Sequence, residues 1–127
     1  MIFARHVFLI AGVYGLMVLL PMYFLEGRIG RDTPPSITHP EFFYGFLGVA
    51  VAWQTAFLVI ARDPVRFRPL MLPAVLEKAG FGLPAIALWL GGRLAAQMLA
   101  AGLIDLTLGI LFVVAFLRTA PSPAGLS

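Results

Sequence analysis

The chain is predicted to fold as an all-α integral membrane four-helix bundle with short loops. Three observations predict this. Of its 127 residues, 61% are hydrophobic and only 12% are charged, against roughly 25% charged in a soluble domain. The mean hydropathy is +0.96, and a chain this short has too much surface per volume to hide that apolar area from water. The apolar residues also fall into four stretches with short polar connections between them, each close to the roughly 20 residues that a helix needs to cross a bilayer. The chain is read as a single transmembrane domain over 1–127, with spans near 7–25, 41–61, 70–90 and 95–117 and a disordered tail over 120–127.

The first span, Val7 to Leu25, carries no charge and follows Arg5. It is longer than the apolar core of a secretory leader, and Met22-Tyr23-Phe24 is too bulky for a small-residue cleavage site, so it is read as retained. Pro21, near its end, is tolerated in a membrane helix. Glu26 to His39 is rich in Gly, Pro and charge and reads as a solvated loop. Thr38 and Glu41 have capping-box spacing and Pro40 fits a first helical turn, so the second span is expected to begin there. The basic loop Arg62 to Pro69 follows, and Asp63-Pro64 within it predicts a capped helical turn.

The last two spans are less simple. Ala79 to Gly92 and Leu106 to Leu117 are uncharged but too short to cross. They reach bilayer length only by taking in Glu77, Lys78 and Asp105, with Gly91-Gly92-Arg93 as the tight turn between them. A re-entrant or interfacial pair is the alternative. Arg5, Arg62, Arg66, Arg68 and Arg118 then share one side, and Arg28, Arg31 and Arg93 the other. The positive-inside rule therefore predicts a multi-pass protein of the bacterial inner membrane with both termini cytoplasmic.

Composition excludes several functions. There is no cysteine, hence no disulfide, thiolate metal site or cysteine nucleophile. The sequence pI is near 10.0, but the basic residues mark span ends rather than one face, which argues against nucleic acid. The two histidines form no H-x-x-x-H or H-E-x-x-H pattern. No catalytic residue, metal or cofactor is expected.

Ionisable residues inside a span are costly and are candidates for function. Asp105 shares a helical face with Ala95, Met98, Gly102, Gly109 and Phe116. Glu77 shares one with Pro73, Gly80, Pro84, Ala87 and Gly91. Small residues let helices approach, so both carboxyl groups are expected to point inward. Gln54 lies at the depth of Glu77, and the two would hydrogen-bond if their faces meet; otherwise a neutral, protonated Glu77 is expected. The small residues Gly45, Gly48, Ala52 and Ala56 lie away from Gln54 and leave that open. Lys78 is expected to snorkel toward the arginine-rich side rather than pair with Glu77. Glu77 and Asp105 are placed in opposite halves of the membrane, about 10 Å or more apart in depth.

Gln54, Glu77 and Asp105 are thus the ligand-binding candidates, with Trp53, Phe57, Phe81 and Trp89 as aromatic residues that could line a cavity. Glu26, His39 and Glu41 form an outer polar cluster, with Tyr23 and Tyr44 in an aromatic belt. Arg62, Arg66 and Arg68 form a cytoplasmic basic loop that sets topology or meets an anionic lipid headgroup.

The segments His39-Pro40-Glu41-Phe42-Phe43-Tyr44-Gly45, Ala61-Arg62-Asp63-Pro64-Val65-Arg66-Phe67-Arg68-Pro69 and Leu76-Glu77-Lys78 resemble those of small four-span bacterial membrane proteins. The layout over residues 5 to 118 is similar to that of the DoxX-like group of inner-membrane proteins. That resemblance implies four helices and an inner-membrane location. The group is linked to quinone or sulfur redox chemistry and to accessory roles in membrane complexes, without a residue motif that transfers here.

The first functional expectation is a non-catalytic accessory or scaffold subunit. Its expected partners are the lipid bilayer and either a larger membrane complex or further copies of the chain, with no nucleic acid. The alternative is a binding or transport module for a quinone, lipid or other small apolar ligand between the helices. An intramembrane acid–base enzyme is the third reading. It would need two carboxyl groups at matched depth, which the depths above disfavour.

Overall fold

The computed structural model describes residues 2–120, and these are helical apart from short connections. The expected disordered tail lies, from residue 121 on, outside the described residues. Helix α1 runs Ile2–Met22, α2 Glu26–Asp32, α3 Pro40–Arg62, α4 Met71–Leu90 and α5 Ala96–Arg118, with a single 3-10 turn at Arg68–Leu70 leading into α4. Four of these helices are long and apolar enough to cross a membrane. The chain is a multi-pass membrane protein by that measure, and its bundle exterior is correspondingly apolar, with Ile10, Met17, Leu76, Leu83, Ile110 and Leu117 exposed.

The termini of these helices show where local chemistry departs from the expected pattern. α1 ends at Met22, and the amides of Tyr23, Phe24 and Leu25 close onto Leu20, Pro21 and Met22 in tight turns. The segment read as a solvated loop contains α2, braced by an Arg28–Asp32 contact of 3.4 Å at helical spacing and by the Thr33 hydroxyl donating to the Ile29 carbonyl at 2.8 Å. No capping box forms on α3. His39, not Thr38, is the N-cap and makes no side-chain cap bond. Thr38 is therefore one residue too early for the box. Pro40 sits in the first turn, where its missing N–H leaves nothing unsatisfied. The turn expected after Asp63 is present: its Oδ1 accepts from the Arg66 amide at 3.2 Å and its carbonyl from the Phe67 amide at 3.0 Å.

The α4–α5 connection is the tight glycine turn that the sequence suggests. Gly92 has φ +71°, a left-handed conformation that glycine adopts without strain. The Arg93 amide closes onto the Leu88 carbonyl at 2.8 Å. The chain thus folds as two antiparallel hairpins. α1 packs along α3, α4 packs along α5, and α1 bridges to α5, whereas α3 and α4 scarcely touch.

That asymmetry separates the two ends of the bundle. At the arginine-rich end, Ala4, Phe8, Ala11, Phe57, Ile60, Met71, Phe112 and Ala115 form a closed core. Phe8 stacks on Phe112 with ring centroids 4.2 Å apart, and Phe57 meets Phe112 edge-on at 5.0 Å. Such pairs add attraction beyond simple burial. Arg68 fastens the same end. Its Nε donates to the Phe116 carbonyl at 3.2 Å while its guanidinium lies 3.7 Å from the centre of the Phe116 ring. Toward the α2 end the buried cluster shrinks to Leu19, Leu47 and Ala50.

Candidate functional site

Between these two ends the polar residues meet. The buried face of α4 is Met71, Ala74, Lys78, Gly82 and Ala85. Lys78, not Glu77, therefore looks to the bundle axis, and Gly80, Pro84 and Ala87, expected inside with Glu77, are exposed. Close approach of α4 to α5 sets this rotation. A Cβ on Gly102 would meet the Ala85 methyl at 2.6 Å, and one on Gly109 would lie 3.2 Å from the Lys78 Cβ. Gly109 is thus the space in which the lysine stem lies. α3 is oriented likewise. Its inward face is Leu47, Ala50, Gln54, Phe57 and Ile60, and the small residues Gly45, Gly48 and Ala52 are exposed.

Lys78 does not snorkel. It is 3% exposed. Its Nζ lies 3.4 Å from Glu77 Oε1 and 3.5 Å from Asp105 Oδ1, with the Phe57 ring centre at 5.2 Å. Moving that ammonium to the arginine-rich surface would carry it past the closed phenylalanine core. Two carboxylates within reach offer more, because a weakly screened interior strengthens Coulomb attraction. The pairing of neighbours 77 and 78, which helical geometry argued against, forms because Glu77 bends from the rim toward the ammonium at the centre.

The depth assigned to Glu77 and Asp105 is also corrected. Both are within contact distance of a single ammonium and so occupy nearly one level. The reason is the hairpin. Lys78 stands thirteen residues before Gly91, and Asp105 thirteen residues after Gly92. Depth measured for both from the shared turn aligns them, whereas placing Glu77 from Pro69 and Asp105 from Arg93 did not.

Gln54 completes the site without bonding Glu77. Its Nε2 donates to the Ala50 carbonyl of its own helix at 2.8 Å. Its Oε1 is buried with no partner, and the residue is 2% exposed. Reversing the amide would set its oxygen against the Ala50 carbonyl, so the oxygen is the free atom. Gly15 of α1 makes room for this group, since a Cβ there would collide with the amide.

A cavity of about 210 Å³ lies where these groups converge. All four long helices line it: Tyr14 and Gly15 from α1, Phe46 and Gln54 from α3, Glu77, Lys78 and Phe81 from α4, and Asp105 from α5. Where α3 and α4 splay, an adjoining crevice of about 600 Å³ runs outward between Phe42, Gly45, Phe46, Val49 and Phe81, from Glu77 to Glu41. Phe46, Ala50, Glu77 and Phe81 border both spaces. Of the aromatic residues suggested as lining, Phe81 fills that role and Phe57 lies under the ammonium; Trp53 packs against the core and Trp89 is on the bundle exterior. Phe46, Tyr14 and Gly15 were not anticipated. Lys78 was anticipated elsewhere, and its equal distance from the turn with Asp105 is the signal that finds it.

The remaining candidates are placed apart from this centre. At the α2 end Tyr44 donates its hydroxyl to Glu26 at 3.1 Å, and His39 lies 4.0 Å from Glu41, both exposed. Glu26, His39 and Glu41 therefore form two separate contacts rather than one cluster. In the basic loop Arg62 is exposed, Arg66 lies 5.4 Å from the Phe67 ring centre, and Arg68 is committed to Phe116. Chemically, the centre offers two carboxylates, one ammonium and one free amide oxygen in an apolar cavity with a side opening. No protein-family model, no curated protein and no solved structure matches the chain.

Proposed function

We propose that the chain is a membrane-embedded binding or transport module for a small molecule with an apolar body and a polar head. The head sits at Gln54, Glu77, Lys78 and Asp105, and the apolar body extends into the crevice between α3 and α4. The single observation that carries this is that the two spaces adjoin, sharing Phe46, Ala50, Glu77 and Phe81 as lining. The ion pair stands beside open space rather than closed off by packing. The lining fits the usual make-up of a ligand pocket, with apolar and aromatic walls and a few convergent polar groups. In this reading the protein lies in the bacterial inner membrane with both termini cytoplasmic, in keeping with the arginine distribution and with its DoxX-like layout.

The accessory-subunit reading keeps one supporting observation. Gly80, Pro84 and Ala87 form an exposed strip of small residues on α4, a surface to which another transmembrane helix could approach closely. The acid–base enzyme reading is not advanced. Glu77 and Asp105 meet its requirement of matched depth, but the Lys78 ammonium contacts both and occupies the place where a reacting atom would sit.

The test is Gly45→Trp. A Cβ at Gly45 meets nothing within 4 Å and the residue lines the crevice, so a bulky indole there is expected to obstruct the crevice with little disturbance of the core. Wild type and variant are purified in mild detergent, and their extracted small molecules are compared by mass spectrometry. An apolar molecule recovered in stoichiometric amount from wild type and depleted from the variant is expected. Equal recovery from both overturns the reading.

A further inference from the structure

With Glu77, Lys78 and Asp105 all ionised, the cavity holds two negative charges against one positive. One negative charge is left uncompensated in apolar surroundings, where an isolated ion is strongly disfavoured. Only two things can neutralise it there: a proton on one carboxylate, or a second cation. The free oxygen of Gln54 indicates which cation. It is an acceptor lacking a donor, buried and lining the same space. A ligand that supplies both positive charge and N–H donors satisfies the carboxylates and Gln54 together. Tyr14, Phe46 and Phe81 present aromatic rings to that cavity, and ring faces attract ammonium groups. The crevice beyond them is lined by Phe42, Val49 and other apolar residues and suits an alkyl chain.

We propose that the cavity binds the protonated head of an amphipathic alkylamine in exchange for a proton held by the Glu77–Asp105 pair. This rests on the binding-module reading above and names its ligand class. The exchange balances. The alkylammonium enters with its charge, one carboxyl O–H breaks, and that proton passes to water at the Glu41 mouth of the crevice. The charge of the cavity is the same before and after. Every ionisable or polar group facing the pair takes part in setting this exchange: Lys78 from α4, Tyr14 from α1, Gln54 and, at the mouth, Glu41 from α3.

The protein in lipid nanodiscs is titrated calorimetrically with dodecylammonium and, as the uncharged match, with dodecanol. Buffers of different ionisation heat count the protons released. Measurements run between about pH 5 and 8, where an alkylammonium keeps its charge. Release approaching one proton per amine is expected, with affinity falling by about tenfold per pH unit on acidification once the pair is protonated. Glu77→Gln and Asp105→Asn each remove the uncompensated charge, so both should weaken dodecylammonium binding and abolish proton release. Should one variant fail to fold, the other still decides. Dodecylammonium binding that equals dodecanol binding, or does not change with pH, overturns the proposal. If Gly45→Trp still excludes dodecanol in that case, the binding-module reading survives alone. If Gly45→Trp excludes neither probe, both readings fall.

Discussion

At the arginine-rich end of the bundle Phe8, Phe57 and Phe112 close on one another, whereas nearer α2 the aromatic residues Tyr14, Phe46 and Phe81 stand around an unfilled space. The same four helices supply both sets. Lipid is as apolar as the core, so expulsion of water contributes little to holding membrane helices together, and close packing and polar contacts take its place. The phenylalanine interlock uses the first of these and the Glu77–Lys78–Asp105 contact the second. Phe57 belongs to both, with its ring edge-on to Phe112 and the Lys78 ammonium nearby. The difference teaches that the same four helices close by aromatic packing at one end and leave a space bordered by polar groups nearer the other.

That contrast can be broken experimentally. Phe112→Ala should cost about 3–5 kcal/mol of stability, read as denaturant-induced unfolding in detergent, whereas Phe46→Ala, the same truncation at the half-exposed crevice, should cost less than about 1 kcal/mol. Equal losses would remove the distinction between the two ends. Lys78→Met should also cost about 3–5 kcal/mol, because it strands the Glu77–Asp105 pair without its cation. Adding Glu77→Gln and Asp105→Asn to Lys78→Met should recover most of that loss, and a triple variant as unstable as the single one would mean that the lysine stem matters more than its charge. Gly15→Ala should cost about 1–3 kcal/mol through collision with the Gln54 amide, with rescue by Gln54→Ala tested in a double-mutant cycle. At the exposed Arg28–Asp32 contact, Arg28→Ala should change stability by less than about 0.5 kcal/mol.

Much of the fold can be read from the chain itself. Unbroken apolar length marks the helices, Gly91-Gly92 marks the turn between the last two, and Asp63-Pro64 marks the capped turn before α4. The faces are harder to read, for a physical reason. A helix that is apolar all round offers no contrast between its inward and lipid-facing sides. Small residues were taken as the substitute guide. They succeed on α5, where Gly102 and Gly109 are buried, and fail on α4, where Gly80 and Ala87 face outward. Asp105 and Glu77 were recognised as candidates because charge in a span is rare. Their meeting at Lys78 was missed because it depends on the register of two helices across their turn, a property of neither helix alone. Gln54 was recognised too, but its orphaned oxygen depends on the room left by Gly15 on a different helix.

The tight turn at Gly91–Gly92 also bears on how such a chain can enter a bilayer. A lysine or an aspartate presented to lipid by a lone helix resists insertion. Here the two lie at equal distances from one short turn, on helices that pack along their length. If α4 and α5 are delivered together as a hairpin, the ammonium and the carboxylate meet before either faces hydrocarbon. Each helix then serves as the other's solvent during biogenesis. The spacing that builds the site is also what makes its charges admissible to the membrane.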